Sequence, residues 1–139
     1  MSRSLLSLRR LRAALLLIST ATAMATANAA APSELLGSYQ AQSDGAAPLP
    51  SRGQLFFNSS HGHEWTCATC HGAIPTRTGK HAATGKAITP LAPAFNPERF
   101  TDAAKTEKWF RRNCNDVVGR ECTSAEKADL LAWLLTLKP

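Results

Sequence analysis

Cys67-Ala68-Thr69-Cys70-His71 is the stretch that decides how this chain is read. Two thiols three positions apart, followed at once by an imidazole, suit covalent haem attachment. Each thiol can add to one vinyl group, and the turn between them sets His71 beneath the iron as proximal ligand. A structural zinc site needs four ligands, usually as two separated pairs, and the other cysteines, Cys114 and Cys122, are not in CxxC spacing. A thioredoxin-like redox pair wants a strand–helix–strand setting, and no such pattern surrounds these residues. The expected cofactor is one haem c, covalent through Cys67 and Cys70.

Upstream, Arg3, Arg9, Arg10 and Arg12 form a basic region, Ala13 to Ile18 a short apolar run, and Ala27-Asn28-Ala29 a small-x-small cleavage site. The apolar run is too short for a permanent membrane span. Arg9-Arg10 echoes a twin-arginine signal only faintly, and attachment of haem after export fits the general route better. Residues 1–29 are therefore expected to be a cleaved signal peptide, and 30–139 an exported domain, in a bacterial periplasm. The chain carries 16 basic and 10 acidic residues, net +6. Four arginines leave with the signal and no acid does, so 30–139 holds 12 basic and 10 acidic residues, net +2. The pI of 9.6 thus reflects targeting and gives no reason to expect nucleic-acid binding. The only methionines, Met1 and Met24, lie in the signal, which excludes a His/Met-ligated electron carrier if cleavage falls where expected.

About 110 residues make one domain with a modest core that a haem would enlarge. No internal repeat and no second CxxCH is present, and no stretch shows sustained β-branched alternation. Ser33 can cap a short helix carrying Leu35, Leu36 and Tyr39. Ser51 with Gln54 reads as a capping box for a helix with Leu55, Phe56 and Phe57. A third helix is expected from about Thr101 to Val118, with Trp109, Phe110, Asn113 and Val117 along one face and Gly119 as its stop. Thr123 with Glu126 opens a last helix whose Leu130, Trp133, Leu134 and Leu137 keep helical spacing. Gly53 and Phe57 share a face, and Trp133 is a suitable partner where two helices cross. Gly72 to Pro97, with four prolines, is a long irregular stretch able to wrap the haem edge. Its Arg77, Lys80 and Lys86, with Arg99 beyond it, could pair with propionates or stand as solvated surface charge.

With methionine absent, the distal ligand is the open question. His61 and His63 sit just before the attachment motif and would reach the opposite haem face with difficulty. His81, ten residues after His71, could be carried over by a generous loop, giving a bis-histidine iron. The other candidate is Asn113, an amide beside two aromatics, where a coordination bond would satisfy its carbonyl oxygen. In an oxidising compartment, with Cys67 and Cys70 consumed by haem, Cys114 and Cys122 are the obvious disulfide pair. The bridge reads first as a structural staple, and its position immediately after Asn113 also suits fixing the end of the distal helix.

The attachment motif together with Glu126-Lys127-Ala128-Asp129-Leu130-Leu131-Ala132-Trp133-Leu134 resembles class I cytochromes c. The run Trp109-Phe110-Arg111-Arg112-Asn113-Cys114-Asn115-Asp116-Val117-Val118-Gly119-Arg120-Glu121-Cys122-Thr123 is more specific. It resembles the sphaeroides haem protein family of oxygen-binding monohaem cytochromes c, over roughly Leu35 to Leu137. The resemblance implies an all-α, class I cytochrome c-like fold of about four helices around one haem. It also implies a distal asparagine, carried over to Asn113, that binds the oxidised iron and detaches on reduction, with the Cys114–Cys122 disulfide beside it. Asn115 is the alternative ligand, two residues on but on a different helix face. Oxygen, nitric oxide or carbon monoxide would be the gases bound, and a dihaem cytochrome c and a membrane cytochrome b the electron partners.

The expectation is therefore a periplasmic monohaem cytochrome with a redox-gated distal amide, binding diatomic gases and taking part in electron transfer. The competing reading is a low-spin bis-histidine electron shuttle. An enzymatic reading, turnover of nitric oxide or peroxide at the haem, finds no placed acid–base residue in the sequence.

Overall fold

The computed structural model describes residues 31–139; the expected signal peptide and its cleavage site lie outside them. Five helices succeed one another: α1 (Pro32–Ala41), α2 (Pro50–Asn58), α3 (Cys67–His71), α4 (Ala103–Val118) and α5 (Ser124–Thr136). Four match the helices expected, and the fifth is the single turn Cys67–His71 itself. Between α3 and α4 runs a hairpin of two-residue strands, β1 (Gly79–Lys80) and β2 (Ala87–Ile88), antiparallel with Gly79 opposite Ile88. A 3-10 turn, Pro93–Phe95, follows.

Both α1 and α2 pack on α5. Leu131 and Leu134 of α5 are fully enclosed, and Leu35, Tyr39, Phe57, Phe110 and Trp133 complete the core around them. Gly53 makes the α2–α5 crossing possible, because a Cβ there would overlap the Asp129 carbonyl oxygen. The expected partner at this crossing was Trp133. Backbone at Asp129–Leu130 takes that place, while Trp133 stacks on Phe57 with ring centroids 5.1 Å apart. One helical turn separates the two contacts.

Two helix starts differ from expectation. The first helix is capped by Ala31, not Ser33: Pro32 occupies the first helical position, and Glu34 reaches back to accept the Ala31 N–H at 3.1 Å. In α2, Ser51 lies inside the helix and makes no capping box. Leu49 is the N-cap, and its N–H donates to Asp129 Oδ1 of α5 at 2.7 Å. Arg52 closes on the same carboxylate through Nε and Nη2, so Asp129, almost fully buried, is satisfied by α2. The Thr123–Glu126 capping box of α5 and the left-handed stop at Gly119 (φ 74°) are as expected.

The stretch from Gly72 to Pro97 is more ordered than its prolines imply. Pro75 is buried, and its carbonyl accepts the N–H groups of Leu91 (3.0 Å) and Ala92 (3.1 Å). Asn96 and Arg99 both donate to the Pro90 carbonyl, at 3.3 and 3.0 Å, and Arg99 also donates to the Thr89 carbonyl at 2.9 Å. These bonds draw the loop against the segment that leads into α4.

Candidate haem site

Thr66 caps the one-turn helix α3: its Oγ1 accepts the Thr69 N–H at 3.1 Å, and Thr69 Oγ1 accepts the Thr66 N–H at 3.0 Å. Threonine stands where the usual box has Glu or Gln, so the local sequence pattern does not announce this cap. Helical spacing then places Cys67, Cys70 and His71 on one face. Neither Cys67 nor Cys70 is bridged, and both are half-buried. Burial pushes the Cys67 thiol up to about 11. Burial, helped by the charge of Arg99, lowers His71 to about 4, so its imidazole is neutral with a lone pair to give at physiological pH. Phe57 lies beside the ring at 6.1 Å. Two unbridged thiols and a neutral imidazole on one face fit the attachment of a c-type haem.

The hairpin is seated on this turn. A Cβ at Gly79 would overlap the Cys70 carbonyl oxygen, and the Ala82 N–H points at Cys70 Sγ at 3.3 Å. His81 stays on this side, its Nδ1 facing the Thr84 N–H at 3.3 Å and its backbone N–H bonded to Lys86.

Helix α4 carries Asn113, the residue expected as distal ligand. Asp102 caps it by accepting the Lys105 N–H at 2.9 Å. Thr106, Phe110 and Cys114 turn into the core, whereas Trp109 (45% exposed) and Asn113 lie on the outer face. The single face expected for Trp109, Phe110, Asn113 and Val117 is thus split. The cause is packing of Phe110 against Tyr39 at 5.9 Å and Phe100 at 6.4 Å, which rotates Trp109 and Asn113 away from α1 and α5. Lys127 of α5 pins the helix in that rotation. Its Nζ donates to Glu107 Oε2 at 2.7 Å and lies over the Tyr39 and Phe110 rings. Asn115 donates its amide N–H to the Arg111 carbonyl at 2.7 Å, bracing its own helix.

Cys114 and Cys122 form a disulfide, Cα–Cα 5.6 Å, joining the last turn of α4 to the residues before α5. Of the imidazoles weighed as distal ligands, the fold brings His63 rather than His81 towards α4. His63 lies against Gly119 so closely that a Cβ there would overlap Nε2. His61, beyond the end of α2, turns back onto that helix, its Nε2 2.9 Å from the Phe56 carbonyl oxygen and its ring on Phe56.

Comparison with known proteins gives the family and the fold. Residues 44–134 match the family described as Domain of unknown function (DUF1924). The cytochrome c-type protein SHP of Cereibacter sphaeroides is 48% identical over 113 residues, 79% of this chain and 87% of that protein. The structure of oxidised SHP, described as an oxygen-binding cytochrome c, superposes with a TM-score of 0.72 over 78% of this chain and 98% of that one. The solution structure of Methylophilus methylotrophus cytochrome c'', described as bearing on haem-ligand detachment, gives 0.67 at 39% identity, over 78% of this chain and 94% of that one. The chain therefore belongs to the SHP family and is a c-type cytochrome of all-α fold.

Proposed function

We propose that residues 30–139 form a periplasmic monohaem cytochrome c with a distal amide that is released on reduction. Cys67 and Cys70 hold the haem through thioethers, His71 is the proximal ligand, and Asn113 is the distal ligand of the oxidised form. When bound, the haem supplies a one-electron couple and an open coordination position for oxygen, nitric oxide or carbon monoxide. The observation that carries the reading is Asn113 on the outer face of α4, one residue before bridged Cys114, in a domain without methionine. The relative described as an oxygen-binding cytochrome c supports it.

Each role follows from local chemistry. A carboxamide oxygen is a hard, weak donor, better matched to ferric than ferrous iron, so reduction of a bound haem would loosen it. The released amide keeps two N–H donors with which to bond a gas. Trp109, four residues earlier on the same face, supplies an apolar wall. The Cys114–Cys122 disulfide would hold the helix end in place as the amide is released. Electrons would come from a dihaem cytochrome c or a membrane cytochrome b.

Optical spectra of the oxidised, reduced and carbon monoxide-treated protein test the reading. The expected result is a ferric spectrum that changes in Asn113→Ala and rapid carbon monoxide uptake on reduction. A ferric spectrum identical in Asn113→Ala would overturn the ligand assignment. The contact of His63 with the end of α4 favours a second reading, a bis-histidine iron using His63. That reading requires low-spin spectra in both oxidation states, no rapid carbon monoxide uptake, and loss of both properties in His63→Ala.

A further inference from the structure

We propose that the β1–β2 hairpin is the docking surface for an acidic protein that exchanges electrons with this domain; this rests on the electron-transfer part of the function proposed above. Between Glu64 and Glu98 the chain has no Asp or Glu, yet it carries Arg77, Lys80 and Lys86. The rest of 30–139 holds nine basic and ten acidic residues, so the excess positive charge lies wholly in this stretch. All three side chains are exposed. Every ion pair among the described residues falls outside the stretch, so no carboxylate of the described domain neutralises these charges.

The charges are also held in place. Lys80 lies in β1 opposite Ala87, Lys86 directly precedes β2, and Gly85 makes the turn with φ 67°. The hairpin is anchored to α3 by the fit of Gly79 over the Cys70 carbonyl and by the Ala82 N–H facing Cys70 Sγ. A small patch of positive charge on an anchored backbone thus stands beside α3, where electrons would enter or leave. Charge complementarity at such a patch steers encounter and orientation more than it adds affinity, which suits a partner that must leave after each electron.

Other polyanions fit less well. Single-stranded nucleic acid wants aromatic platforms among its cations, and residues 72–94 contain no Phe, Tyr or Trp. Membrane surfaces recruit larger basic clusters or an amphipathic helix, and this is a short ribbon with three charges.

The test uses the haem-loaded protein, its Lys80→Glu/Lys86→Glu variant, and a Lys80→Gln/Lys86→Gln variant that removes charge without reversing it. Polyglutamate is titrated at low salt while amide NMR signals are followed. Shifts should concentrate at residues 77–88, vanish in the Glu variant and weaken in the Gln variant. In parallel, the anaerobically reduced protein is oxidised by hexacyanoferrate(III), an anion, and by tris(phenanthroline)cobalt(III), a cation. The Glu variant should react with the anion about tenfold more slowly and with the cation faster, both differences closing as salt is raised. Shifts centred on Arg111 and Arg112, or rates unchanged in both variants, would overturn the proposal. So would an unresponsive hairpin, as expected if haem propionates engage its cations, or stronger shifts with polyuridylate or phosphatidylglycerol vesicles at matched charge. Failure of the function proposed above shows separately, as a preparation without covalent haem or without electron transfer to either reagent.

Discussion

Gly119 shows how much one residue without a side chain can carry. It ends α4 in the left-handed region and lies under the His63 imidazole. Gly119→Ala should cost about 1–2 kcal/mol from backbone conformation alone, plus the displacement of His63. Urea unfolding of Gly119→Ala beside His63→Ala/Gly119→Ala separates the two parts: the second change should recover the steric share and leave the backbone share. Asp129 is the polar counterpart. Its carboxylate is the acceptor for both the Leu49 N–H and the Arg52 guanidinium, so Asp129→Ala should destabilise the fold by about 2–3 kcal/mol in the same assay. Both residues were visible in the sequence, Gly119 as a helix stop and Asp129 as one position of the last helix. Their partners, His63 and Leu49, were not, because 56 and 80 positions separate them along the chain.

Among the elements, α5 was the most legible and α2 the least. The Thr123–Glu126 box is local, and Thr123→Ala should cost about 1 kcal/mol, measured as a lower denaturant midpoint with unchanged slope. Neither Ser51 nor Gln54 caps α2, because Asp129 of α5 takes up the Leu49 N–H and Pro50 is already set for the first turn. The α4–α5 corner combines a legible cysteine pair with an illegible rotation. Closing eight residues with a disulfide is worth roughly 2–3 kcal/mol by loop-closure entropy, and dithiothreitol should lower stability by about that amount. The rotation that puts Phe110 inside and Asn113 outside depends on Tyr39 and Lys127, which lie on other helices.

For the molecule as a whole, the acid limit is set by carboxylates that the fold keeps charged. Glu126 is held below its ordinary value first by its hydrogen bonds from Arg120, against a smaller opposing effect of burial. Burial alone would raise Glu107, but its bond from Lys127 helps bring it below the usual range. Both folded-state pKa values are therefore depressed. Their contribution is complete above the ordinary 4.5 and is lost as pH falls through the lower folded values. Glu126→Gln preserves a capping side chain but removes the charge. Its deficit in thermal stability should be largest near neutrality and vanish in strong acid, which melting curves from pH 7 downward would show.

The class of the fold and the candidate residues at one end of the site are legible from local sequence alone. Attachment motif, capping signals and apolar spacing all act between residues a few positions apart, so they are written in the local order of the chain. The tertiary structure alone decided which face of α4 turns outward, which histidine approaches it, and what satisfies the start of α2. It also decided where the basic hairpin rests. Those outcomes follow from packing between elements distant in the chain, where each side chain's environment is made by partners that local order does not name.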